Sequence, residues 1–233
     1  MNSLTKLLLL ATLISSNASG ATLTFSNFGT AVYATGFGDS SSNITSGLTY
    51  GIVVDTSGNG FATSDWSAGF TYTGGNTTGI ALVNSLGLMT DDVLYLHSSQ
   101  TASLFADDDS ATAGTGLATS LTTVTYGAAT GYNGATGTAP TVAGGQAFAL
   151  IWFDRGIALG SSSTSGQKFG LATLGSNSTP VFTLPSGTGD TADYSAAFAG
   201  ADPLKTANFS LVPEPSTMLL TVIGGLALLR RKR

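Results

Sequence analysis

Ala147-Phe148-Ala149-Leu150-Ile151-Trp152-Phe153 is the stretch that decides the fold. It is a short unbroken apolar run, rich in aromatic and branched side chains, and Gly144-Gly145 stands just before it. Alternation would expose one side of such a strand. An unbroken run instead predicts a central strand buried on both faces.

Outward from this run, strand signals recur and helical periodicity is weak. Thr22-Leu23-Thr24-Phe25-Ser26 alternates polar and apolar, and Leu48 to Val54 is β-branched and aromatic. Phe70-Thr71-Tyr72 precedes the turn signal Gly74-Gly75-Asn76. Val93 to His97, Leu121 to Tyr126, Phe169 to Ala172, Val181 to Leu184 and Ala207 to Leu211 read as further strands. Tyr194 to Phe198 reads as a short helix or an edge strand. Roughly ten short strands, separated by Gly/Ser/Thr/Asn segments and without an internal repeat, predict an all-β domain of the β-sandwich or jelly-roll kind.

Both ends depart from this pattern. Lys6 is the only charge before Asp39; Leu7 to Ile14 is apolar, and small residues follow at Ser16, Ala18, Ser19, Gly20 and Ala21. That is the layout of a secretory signal peptide with a signal helix, and its cleavage is expected after Ala21, with Ala18 as the alternative. At the other end Val212-Pro213-Glu214-Pro215 precedes an apolar run from Thr217 to Leu229, and Arg230-Arg231-Lys232-Arg233 closes the chain. The prolines keep the motif extended. As a helix the apolar run is about 20 Å long, short against a bilayer core of about 30 Å. The four cations place that end in the cytoplasm and the body outside.

This tail resembles the C-terminal sorting signal of PEP-CTERM proteins. The resemblance covers the tail alone. It implies an exosortase, a membrane-embedded protease, as processing partner after export through the Sec machinery. It also implies a destination at the cell surface or in the extracellular matrix, in company with exopolysaccharide. The expected division is a signal peptide over 1–21, an exported domain over 22–212 and a sorting signal over 213–233. In the precursor that last segment forms a single transmembrane helix, which holds the protein in the membrane until processing.

Within 22–212 the only basic residues are Arg155, Lys168 and Lys205, against twelve aspartates. So acidic a body repels nucleic acid phosphates, and no nucleic-acid partner is expected. No cysteine is present, which excludes disulfides, thiolate metal sites and cysteine nucleophiles. The body also lacks glutamate, since Glu214 belongs to the tail motif. Polysaccharide hydrolysis by paired carboxylates would therefore fall to aspartates alone, and no spacing singles out a pair. His97 is the only histidine. It lacks the company of a nucleophile elbow, so a surface or structural role at a strand end is expected. No catalytic residue is assigned and no enzyme is expected.

Three weaker features bear on binding. Asp55-Thr56-Ser57-Gly58-Asn59-Gly60 matches the opening of a calcium loop, with oxygens from Asp55, Ser57 and Asn59. Position twelve of that loop is Trp66 rather than glutamate. A glycine-rich turn is the plainer reading. Asp107 and Asp109 would face one side of a strand and could share a cation, although a solvated loop is again plainer. No cofactor is required; calcium is the one ion the sequence admits. Trp66 stands in the polar segment Ser64-Asp65-Trp66-Ser67, which makes it the better surface candidate for stacking on a sugar, against a packing role. The expectation is thus an exported surface or matrix protein. A carbohydrate- or calcium-dependent adhesion module is the first alternative, and an aspartate-based polysaccharide hydrolase the second.

Overall fold

A computed structural model describes residues 20–25, 37–41, 49–97, 119–132, 134–154, 157–172, 182–187, 189–193 and 205–212. These are nearly all β, with 45% strand and 3% helix, which settles the class expected from the strand signals. The signal segment, the tail from Pro213 onward, Asp107, Asp109 and Tyr194 to Phe198 lie outside the described residues.

The strands are β1 (Gly20–Phe25), β2 (Phe37–Gly38), β3 (Tyr50–Asp55), β4 (Ile80–Val83), β5 (Met89–Leu96), β6 (Thr119–Thr125) and β7 (Gly127–Ala128). They continue with β8 (Thr130–Gly131), β9 (Thr141–Val142), β10 (Ala147–Phe153), β11 (Lys168–Ala172), β12 (Thr191–Asp193), β13 (Lys205–Thr206) and β14 (Phe209–Ser210). The largest sheet has seven strands in the order β14-β11-β10-β3-β5-β4-β8. A second sheet has the order β12-β1-β6, and β13-β2 and β7-β9 form two-stranded pairs. The sheets are mixed: β1–β12, β4–β8 and β13–β2 pair in parallel, whereas the other strand pairs are antiparallel.

The deciding run occupies β10, and its Phe148 to Phe153 segment is buried throughout. Alternation divides its side chains between two cores. Phe148, Leu150 and Trp152 join Tyr50, Ile52, Val54, Val93 and Tyr95 in one core, together with Leu23 of β1 and Val124 of β6. Ile151 and Phe153 join Val53, Leu94, Leu96 and Phe169 in the other. That second core is covered by Trp66, Phe70, Tyr72, Ile157 and Leu211, none of which lies in a strand.

Close backbone approach is visible at Gly170, the register partner of Trp152. A Cβ there would lie 2.0 Å from Trp152 Cζ2, so the indole occupies the space a side chain would need.

Two expected strands are absent as such. Phe70-Thr71-Tyr72 is irregular apart from an isolated bridge from Thr71 to Ser162, and the described part of Val181 to Leu184 makes only the bridge from Thr183 to Ala147. Both still supply buried aromatics, Phe70, Tyr72 and Phe182, and both make backbone hydrogen bonds, to Ser161 and Ser163 and to Gln146 and Phe148, over too few residues to form a strand. Among the described residues no helix is long and apolar enough to cross a membrane.

Candidate functional site: the Asp55 loop, Asp92 and Trp66

β3 ends at Asp55, and the next residues turn through Gly58 (φ 77°) and Gly60 (φ 89°), left-handed conformations that favour glycine. Asp55 organises the turn. Its Oδ1 accepts the amides of Ser57 (3.0 Å) and Gly58 (2.8 Å), and its Oδ2 accepts the amide of Gly60 (2.7 Å). The Ser57 hydroxyl also bonds the Asp91 carboxylate. Both oxygens of the first expected calcium ligand are therefore engaged by the loop's own donors, and the Asp55 loop is built as an aspartate-capped turn. Asp55 and Ser57 are brought together as loop partners; Asn59 is exposed.

Directly across the sheet, Asp55 is paired in register with Asp92 of β5. The two residues share the face of Val53, Leu94 and Leu96, and both are buried. Asp92 is 0% exposed. Its Oδ2 accepts the Trp66 indole Nε1–H at 2.7 Å, and its Oδ1 has no hydrogen-bond partner among the described residues. Burial pushes the Asp92 carboxyl up to about 7; Asp91 and Asp55 push the same way, while the Trp66 N–H and the Ala62 amide oppose them.

Trp66 is not a surface residue. It is 0% exposed, packed against Phe169 with ring centroids 5.3 Å apart. The polar neighbours that suggested exposure belong to a short 3-10 turn, Thr63–Asp65, of which Ser64 and Asp65 face solvent while Trp66 turns inward. The sugar-stacking expectation at Trp66 is thereby corrected. Tyr50, Tyr72 and Tyr95 are buried as well.

His97 closes β5 and stacks on Tyr50, with centroids 4.7 Å apart and rings inclined by 17°. It is 6% exposed, in keeping with the structural role expected of it. Val212 is the one residue of the sorting motif that is described: its N–H donates to the Trp66 carbonyl at 2.7 Å, and it bridges Ser67 in parallel. Ala21 lies inside β1, 1% exposed and paired with Val124.

Asp91 and Asp92 are adjacent charges in the sequence, and adjacency alone marks no site. Asp92 could have been found from its phase, because it falls on the same strand parity as Leu94 and Leu96. Among the described residues the Asp55–Asp92 pair sets two carboxylates opposite each other in register, and at 3% and 0% exposure it is closed to a polymer chain.

No family model, curated protein or solved structure matches this chain.

Proposed function

We propose that the chain is the precursor of an exported, non-catalytic surface or matrix protein, built as a β-sandwich and delivered through a PEP-CTERM-type sorting signal. The observation that carries the reading is the order of the tail: Pro213-Glu214-Pro215, then the apolar run, then Arg230 to Arg233. The fold supports it in one respect. Hydrogen bonding of the body continues to Val212, so the folded part reaches the first residue of the motif. The acidic, hydroxyl-rich body suits a neutral polysaccharide surrounding better than a polyanionic one.

The test is expression of the full chain and of a chain ending at Val212, each with and without an exosortase. The full chain should be processed only when the protease is present, and the short chain should be exported without it. Identical products in all four cases would end the sorting reading.

We also infer that the signal is cut after Ala18 and not after Ala21. Cleavage after Ala21 would remove two residues of β1 that pair with Thr125 and Val124, both of them buried. Mass spectrometry of the mature N-terminus should find Ser19 first; a Thr22 start would reverse the assignment.

A further inference from the structure

Trp66 makes two contacts of different kinds. Its indole donates to Asp92, and its backbone carbonyl accepts the Val212 amide. The next residue, Ser67, bridges Val212 and donates its own N–H to the Val83 carbonyl at 2.8 Å. Just upstream, Leu211 is buried, donates to the Gln167 carbonyl and accepts from the Gly166 amide. The position of the chain at Val212 thus depends on a segment that Asp92 holds against the sheet.

Two donors of the covering segment, the Trp66 indole N–H and the Ala62 amide, favour the Asp92 carboxylate, but burial and the rest of its surroundings outweigh them. On β3 it faces Asp55, whose oxygens are already occupied, and on its own strand Asp91 adds a second negative group. β4 contributes Ile80 to Val83, with no ionisable side chain. The covering segment carries Asp65, exposed and bonded to the Ser64 hydroxyl, and Tyr72; β11 carries Lys168, exposed. Asp92 Oδ1 is buried without a partner among the described residues. A carboxylic acid tolerates such a site far better than a carboxylate does.

We propose that Asp92 is a proton-operated clasp: protonated, it keeps the Phe61–Ser67 segment closed on the sheet with Val212 held, and on ionisation the segment loosens and frees the chain at Val212. The proposal concerns only the described body and does not depend on the sorting reading.

The sign follows from the carboxyl's displacement from 3.8 to about 7. Between those values the folded state holds a proton that the unfolded chain has lost. Stability therefore falls as pH rises through this window and levels off above it. An opening equilibrium that tracks this proton changes roughly tenfold per pH unit.

Hydrogen exchange on the full chain in detergent micelles, corrected for intrinsic rates, tests this. Protection of peptides covering 61–67 and 209–212 should fall roughly tenfold per unit up to about pH 7 and then flatten, while β10 peptides stay protected. Asp92→Asn should abolish the slope. A flat wild-type profile, the same slope in Asp92→Asn, or an equal slope in β10 would overturn the clasp. Should Asp92→Asn fail to fold, the Trp66 indole N–H resonance of the unaltered chain decides. A midpoint near pH 7, where protection at Val212 stops falling, upholds the clasp, and an invariant resonance refutes it.

Discussion

The two faces of β10 are closed by different means. Over Phe148, Leu150 and Trp152 lie Leu23 and Val124, whose backbone groups pair within β12-β1-β6, together with Phe182, Leu184 and Ala207 from irregular chain. Over Ile151 and Phe153 lie Trp66, Phe70, Tyr72 and Ile157, carried by irregular chain. Irregular chain has no ladder to satisfy its amides, and buried amides must be satisfied. On the second face backbone carbonyls take some of them, as Val83 takes the Ser67 amide and Ser161 the Tyr72 amide, and polar side chains take others. Ser163 Oγ accepts the amides of Gly69 (3.0 Å) and Phe70 (3.2 Å), and Asp92 takes the Trp66 indole. Of the buried polar residues, Thr49, Asp55, Ser67, Asp92 and Ser163 lie on this side, whereas His97 stacks on Tyr50 of the other. A cover that pairs partly within a sheet leaves fewer amides to satisfy than one made of loops, which needs specific polar fastenings as well.

This contrast can be broken by mutation. Phe148→Ala, on the strand-covered side, removes a ring that stacks on Phe182 at 5.0 Å. It should cost about 3–5 kcal/mol, measured as a fall in denaturant midpoint with a single cooperative transition. Loss confined to one segment would contradict the view that this core is shared by the whole body. Gly170→Ala drives a methyl into Trp152 and should cost about 1–3 kcal/mol; a fully stable variant would show that the indole has room to move. Ser163→Ala should cost about 1–3 kcal/mol. Its exchange signature should be local, with the Gly69 and Phe70 amides losing protection before β10 does. If β10 opened equally early, the two faces would not be separable. Calcium should have the smallest effect. With both Asp55 oxygens taken by amides, thermal melts in calcium and in chelator should coincide; a clear upward shift in calcium would return the loop to the role of an ion site.

The strand-covered face was also the more legible one. β10 coincides with the run Ala147 to Phe153, and β3, β6 and β11 coincide closely with their apolar or alternating stretches, whereas β5 begins at Met89, four residues before the expected Val93. Ile80 to Val83 escaped notice because four apolar residues among glycines and threonines carry too little periodicity. β7, β8, β9 and β12 have two or three residues each and carry no period at all. Their partners, some of them parallel, are set by tertiary packing and not by local turns. At the candidate site, the motif Asp55 to Gly60 revealed a turn but could not distinguish a turn capped by its own carboxylate from one closed on a cation. Trp66 was misjudged because its immediate neighbours are polar. What buries it is a bond to Asp92, twenty-six positions away, and that distance is invisible to local pattern.

The attachment of Val212 has a mechanical consequence. β14 is the outermost strand of the seven-stranded sheet and pairs with β11 at two positions only. Any pull on the chain from beyond Val212 meets the Trp66 carbonyl first, then the Leu211 contacts, then β14. These attachments are loaded one after another, as in peeling tape, and not all together as in shearing two long strands. Once β14 has left β11, the load passes along the chain to buried Ala207 and then to β13, which pairs in parallel with β2 at two positions. The end of the body is thus built to yield in small steps.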